Sequence, residues 1–115
     1  MLLHIPQVLT PPEVADIRQV LDTQGWVDGL RSTGPQAANV KRNLQLDTAS
    51  PVFATLSQRI AQALQRHPLF VSAVLPATML PPMFNRYEGG GHYGNHIDNT
   101  IQTDRFSGQK VRTDV

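Results

Sequence analysis

The 115 residues predict an α+β fold, and three observations carry that prediction. Two stretches, TPPEVADIRQVLDTQG and SPVFATLSQRIAQALQRHP, join capping signals to apolar residues at helical spacing. From residue 70 onward, β-branched and aromatic residues punctuated by Pro76, Pro81 and Pro82 read as two or three short strands. Helices first and strands later is the order expected of separated α and β parts, with the sheet beginning in earnest near residue 70. The length suits one small domain, divided into a helical flanking region, 1–69, and a strand region, 70–115.

Each element has its own justification. Residues 1–9 alternate weakly around Pro6, as a short edge strand would. Thr10 can cap the first helix, Pro11 suits its first position and Glu13 completes a capping box. Val14, Ile17, Val20 and Leu21 share one face, and Gly25 supplies a stop. Trp26 and Val27 are expected in the core or opening a strand. Gly29, Gly34 and Pro35 with polar neighbours mark a loop. In VKRNLQLD, the shared parity of Val40, Arg42, Leu44 and Leu46 predicts a half-buried strand with those residues inward. Ser50 and Pro51 open a second helix whose stripe is Val52, Leu56, Ile60 and Leu64, ended by Pro68. The final GQKVRTDV alternates Val111, Thr113 and Val115 like a strand whose partner is missing, so the chain reads as unfinished.

Composition excludes several functions. With 40% apolar and 17% charged residues the chain is globular rather than disordered. Ten basic residues balance nine acidic ones, and Lys41-Arg42 is the only adjacent basic pair, so no nucleic-acid footprint is present. The absence of cysteine removes disulfides, thiolate metal sites and cysteine nucleophiles. No signal peptide opens the sequence, and no apolar run approaches the roughly 20 residues needed to cross a bilayer. A cytoplasmic protein with no membrane partner is expected.

The chemistry concentrates in NRYEGGGHYGNHIDN, residues 85–99. In a strand, residues two apart face the same way, which would put an imidazole and a carboxylate, His96 and Asp98, on one side. Nitrogen and oxygen donors suit a borderline divalent metal such as Fe(II), and two histidines with one carboxylate make the facial triad of non-haem iron oxygenases. Spacing alone leaves another reading open, a loop histidine beside a turn-forming aspartate. His92 is a poor third ligand, because four extended residues span roughly 13 Å. His4 and His67 read as structural.

The wider segment FNRYEGGGHYGNHIDNTIQ resembles the first metal-binding segment of the PKHD-type hydroxylases. These belong to the prolyl-hydroxylase-like branch of the Fe(II)- and 2-oxoglutarate-dependent dioxygenases. The family pattern is an aromatic-Asn-Arg-Tyr strand, a glycine-rich turn, then Tyr-Gly-x-His-x-Asp. Here it stands as Phe84-Asn85-Arg86-Tyr87, Gly89 to Gly91, and Tyr93 to Asp98. Upstream, LLHIPQVLTPPEV, GWVDG, the Gly/Pro loop and VKRNLQL follow the family's order, so the resemblance covers essentially the whole chain.

The resemblance implies N-terminal helices packed on part of a double-stranded β-helix, a jelly roll. It implies that His96 and Asp98 are two of three Fe(II) ligands, the third being a distal histidine beyond the chain end. The basic residue that clamps 2-oxoglutarate lies there as well, because Arg105, Lys110 and Arg112 come too early. Tyr87 and Asn85, on one strand face, are the candidates for 2-oxoglutarate contact, with a core role for Tyr87 left open; Arg86 has the opposite parity. The implied cofactors are Fe(II), 2-oxoglutarate as co-substrate and L-ascorbate (vitamin C) as reductant. The implied reaction is hydroxylation of an unknown substrate with release of succinate and CO2. The chain is then the N-terminal half of such an enzyme, expected to turn over little by itself. The alternative is a non-catalytic metal-binding or interaction fragment, a homo-oligomer through unpaired strand edges. A small cupin-like protein using His92, His96 and Asp98 ranks third.

Overall fold

Thr10 stands in extended backbone at the head of helix α1 (Pro11–Asp22). Its hydroxyl accepts from the Glu13 amide at 3.3 Å, while Glu13 Oε1 accepts from the Thr10 amide at 3.0 Å. The predicted capping box is therefore present, and it satisfies two of the amides that a helix start leaves unpaired. The structure is a computed structural model and describes residues 2–32, 41–96, 98 and 100–113.

Glu13 does a second job. Arg66, the C-cap of helix α2 (Pro51–Gln65), donates to Glu13 Oε1 at 2.6 Å, so one carboxylate ties the start of α1 to the end of α2. The Arg66 hydrogen bond, followed by the Thr10 amide, pulls the Glu13 carboxyl down to about 2 from the ordinary 4.5. A carboxylate depressed by folding stabilises the fold above its unfolded value and stops doing so as pH falls through its folded value. The melting temperature is accordingly expected to fall between about pH 4.5 and 2, and Glu13→Gln to flatten that arm. Thermal melts of the two proteins across this range check it; identical slopes would contradict it.

The strands are β1 (Trp26–Asp28), β2 (Lys41–Arg42), β3 (Leu44–Leu46), β4 (Asn85–Arg86), β5 (His92–Tyr93), β6 (Ile101–Thr103) and β7 (Lys110–Arg112), with a 3-10 turn at Gly29–Ser32. All pairings are antiparallel. A three-stranded sheet runs β1-β3-β4, and two further ladders join β2 to β5 and β6 to β7. The core lies where α1 and α2 cover β3: Ile17, Leu46, Phe53 and Leu56 are buried, with Val20, Leu21, Trp26, Ile60 and Phe84 packed on them. The mixed α+β class holds, with three helices and small antiparallel sheets among the described residues.

Several elements differ from expectation. Residues 2–9 form no strand; this segment is instead held by the His67 ring against the Pro6 carbonyl at 2.9 Å. Helix α1 stops at Asp22, ahead of Gly25, because Thr23 caps it with its amide and hydroxyl on the Val20 carbonyl. Val14 is exposed. In α2 the stripe is broader than Val52, Leu56, Ile60 and Leu64, since Phe53 and Ala63 are buried too; a fourfold repeat drifts around a helix of 3.6 residues per turn. Ser50 leads α2, but its hydroxyl donates to Gln24 Oε1 rather than capping.

The largest correction concerns residues 68–84. Pro68 does not simply end α2; it opens helix α3 (Pro68–Val74), for which its fixed φ is suited and its missing amide is no loss. β-propensity expresses fit to a half-buried pleated surface, and Val71 and Val74 lie in a helix with no buried residues. The sheet begins at Trp26, so strands and helices alternate instead of separating near residue 70. β7 has a partner after all: it pairs with β6, from Ile101↔Arg112 to Thr103↔Lys110. Val40, Gly34, Pro35 and Val115 lie outside the described residues.

Candidate metal centre

Residues 41–46 are the scaffold of the site. The apolar parity of this stretch predicts Leu44 and Leu46 inward, and Leu46 is indeed in the core. The opposite, polar parity is nevertheless the more uniformly buried: Lys41, Asn43 and Gln45 are all covered, while Arg42 is exposed. Both faces of the stretch carry buried residues, Leu46 on one and Lys41, Asn43 and Gln45 on the other, where cross-strand contacts from Asn85 and Tyr93 meet them. Alternation reads burial only where one face meets solvent.

Residues 85–93 pair with this scaffold twice. Gln45↔Asn85 and Leu44↔Arg86 form one ladder, and Arg42↔His92 and Lys41↔Tyr93 the other. From Leu44 to Arg42 the scaffold advances two residues, while from Arg86 to His92 its partner advances six, so four extra residues bulge outward. Gly89 (φ 55°) and Gly90 (φ 82°) make that excursion in the left-handed region that glycine enters without strain. At Gly91 a Cβ would come within 2.8 Å of the Arg42 carbonyl oxygen, so a side chain is excluded there as well.

His96 and Asp98 follow the second ladder and lie outside any strand. The strand geometry assumed for them is absent, yet they converge: His96 Nε2 is 2.9 Å from Asp98 Oδ1. His96 Nδ1 lies 2.7 Å from the Gly94 carbonyl, which can only accept, so Nδ1 carries the proton. Nε2 then faces a carboxylate oxygen, an arrangement that calls for a proton or a metal cation between the two atoms. Two donors at 2.0–2.2 Å from one ion and at right angles to each other stand about 3 Å apart. The pair matches that edge. A backbone carbonyl on the far ring nitrogen is also the usual outer partner of a metal-bound histidine. Asp98 is almost fully exposed, at 89%, which leaves the outer side of such an ion open.

The other sequence candidates are placed differently. Asn85 is committed to a polar cluster, its Oδ1 accepting from Asn43 Nδ2 at 3.0 Å and Gln45 Nε2 at 2.9 Å. Tyr87 is 48% exposed, just past β4, rather than in the core. Arg86 pairs with Glu88 at 3.1 Å and lies over the Trp26 ring. His92 is exposed beside Gly90, and no group of three His, Cys, Asp or Glu fit to hold a metal occurs among the described residues. His4 is exposed, and His67 leads α3.

Sequence reasoning passed over Lys41 and the role of Tyr93. Tyr93 stacks on His96, ring centroids 3.7 Å apart and planes 4° from parallel. Lys41 Nζ lies over the same tyrosine ring, 5.1 Å from its centroid. The signal was the polar parity of Lys41, Asn43 and Gln45, which no apolar count rewards.

Curated relatives match the chain along essentially its whole length. A PKHD-type hydroxylase of Hyphomonas neptunium is 54% identical over 115 residues, and one of Janthinobacterium sp. (strain Marseille) is 52% identical, each match covering all of this chain and 51% of the relative. One from Herminiimonas arsenicoxydans is 53% identical over 114 residues, with the same share covered. The chain is a relative of the PKHD-type hydroxylases. It spans about half the length of the curated relatives it matches, corresponding to their N-terminal portion. No protein-family model matches it. Among the described residues, no helix is long and apolar enough to cross a membrane.

Proposed function

We propose that the chain supplies the first part of an Fe(II)- and 2-oxoglutarate-dependent hydroxylase centre, with His96 and Asp98 as two of its metal ligands. The observation that carries this reading is the 2.9 Å approach of His96 Nε2 to Asp98 Oδ1 with Nδ1 already committed to Gly94. A neutral imidazole and a carboxylate are the donor set that borderline iron prefers over harder or softer ions. When bound, Fe(II) with 2-oxoglutarate supplies oxidative hydroxylation of a C–H bond with release of succinate and CO2, ascorbate keeping the iron reduced. The chain's own contribution is orientation. Gly94 holds the ring tautomer, the ladder to Lys41 and Arg42 holds the segment, and the exposed side of Asp98 leaves room for co-substrate.

The remaining ligand and the 2-oxoglutarate clamp belong, on this reading, to the half of the relatives that this chain does not span. That half completes the jelly roll around the sheets seen here. Tyr87, exposed and close in sequence to the excursion, is kept as a 2-oxoglutarate contact; Asn85 is the weaker candidate, since its amide oxygen already takes two hydrogen bonds. The second reading, a metal-binding or interaction fragment without turnover, draws on the two-ligand composition of the site among the described residues.

A chimaera separates the readings. The 115 residues replace the matching portion of the Hyphomonas neptunium relative, and succinate is measured with Fe(II), 2-oxoglutarate and ascorbate. Succinate release that disappears with His96→Ala is the expected result. A folded, iron-loaded chimaera that releases none, beside an active parent, would leave only the fragment reading.

A further inference from the structure

A histidine that ligates a metal must aim one nitrogen within roughly 10–20° of the productive direction. Its outer torsion does not provide that aim, because the χ2 well of an imidazole is broad. A histidine on a strand borrows order from its neighbours. His96 lies outside the strands and has to find it elsewhere.

Two contacts are available. The Gly94 carbonyl fixes which nitrogen carries the proton, and it constrains the ring at one point. The plane of the ring is set by a second surface, the Tyr93 phenol, which lies parallel to within 4° at 3.7 Å. Tyr93 is itself anchored, since it ends the β5 ladder opposite Lys41 and is half-buried. Lys41 is 5% exposed, an unusual burial for a lysine, and its ammonium is placed over the tyrosine ring. A cation over an aromatic ring is held more strongly when water is excluded. Burial pushes the Lys41 ammonium down in pKa and the Asp28 charge draws it back up, so the group is not solvated in the ordinary way. One order therefore runs from scaffold to ligand: β2 carries Lys41, Lys41 holds Tyr93, and Tyr93 sets the plane of His96.

We infer that Tyr93, held by Lys41, is the positioning residue that aims His96 at the metal. The inference rests on the reading of His96 and Asp98 as metal ligands, and it adds two residues that touch neither metal nor substrate.

The test is Mn(II) titration of the 115-residue chain, followed by water-proton relaxation, with folding checked by circular dichroism. Tyr93→Leu is expected to weaken Mn(II) binding by about tenfold or more, the range typical of lost outer-shell support. Tyr93→Phe keeps the stack and is expected to bind like the parent. Lys41→Met, which keeps the stem and drops the charge, is expected to weaken binding several-fold, and Lys41→Arg to restore it. His96→Ala is the control for the underlying reading: if it binds Mn(II) like the parent, the metal site itself is refuted. If His96→Ala loses binding while folded Tyr93→Leu keeps it, only the positioning role is refuted. Should Tyr93→Leu not fold, unchanged affinity in Lys41→Met decides against the proposal in the same way. The parent chain offers a check without any variant. The Tyr93 ring current should shift the His96 ring protons upfield, and unshifted resonances would overturn the stack.

Discussion

His96→Ala is expected to abolish saturable divalent-metal binding, and Asp98→Ala to do the same. The two side chains converge on a common point at the distance two ligands of one ion require. Removing either leaves a single donor, a larger loss than the roughly 10–100-fold that follows from losing an outer-shell partner. The fold should survive both changes, because His96 lies outside the buried core and Asp98 is almost wholly exposed. This permits a clean readout by thermal shift. A ligand that binds only the folded state at a hundred times its Kd adds about 2.7 kcal/mol. The parent's melting temperature should therefore rise with Fe(II) under anaerobic conditions or with Mn(II), while both variants melt as without metal. A metal-induced rise of equal size in Asp98→Ala would remove the aspartate from the site. Asp98→Asn, which keeps the shape and loses the charge, should sit with the alanine variant.

Phe53→Ala is expected to be the most damaging single change to the fold. Phe53 is 3% exposed and meets the Phe84 ring edge-on at 6.4 Å and the Phe106 ring at 6.5 Å. It thus binds α2 both to the segment entering β4 and to the turn between β6 and β7. That turn is locally ordered by Asp104, whose carboxylate accepts from the Phe106 amide and the Ser107 hydroxyl and is held below its usual pKa by them. Truncating a buried phenylalanine costs about 3–5 kcal/mol, against a total stability of about 5–15 kcal/mol for a typical domain. Urea denaturation should show the midpoint of Phe53→Ala collapsing or the chain unfolded in water. Phe106→Ala, at a residue 64% exposed, should cost far less. Comparable losses in the two would show that the aromatic cluster, rather than the α2 core, holds the parts together.

How far the sequence carried depended on the range of the interaction. Local signals were legible: Thr10 and Glu13 make their capping box, and the glycine run turns where a turn was expected. Signals that depend on a distant partner were not. Pro68 ends one helix and opens the next with the same residue, so a proline rule alone cannot separate the two roles. The inward face of residues 41–46 was misassigned because both parities are buried, and the polar one finds its partners some forty residues away, as Gln45 and Asn85 show. In the candidate site, the nearness of His96 and Asp98 was expected for an inexact reason. Strand alternation pointed to them, whereas a bend after β5 brings them together. Tyr93 was read as part of a pattern and Lys41 as half of a basic pair; the ladder between them and the ring contacts show what each touches.

The four-residue excursion between Arg86 and His92 also acts as a parity device. Side chains on a strand alternate, so the number of residues spent outside the ladder decides which of His92 and Tyr93 faces Lys41. Losing one glycine would exchange them, turning the phenol outward and leaving the motif that follows without its supporting ring. Losing two would restore the facing at the cost of a tighter turn. Length in this loop is therefore constrained along with its glycine positions, a double restriction that ordinary surface loops escape.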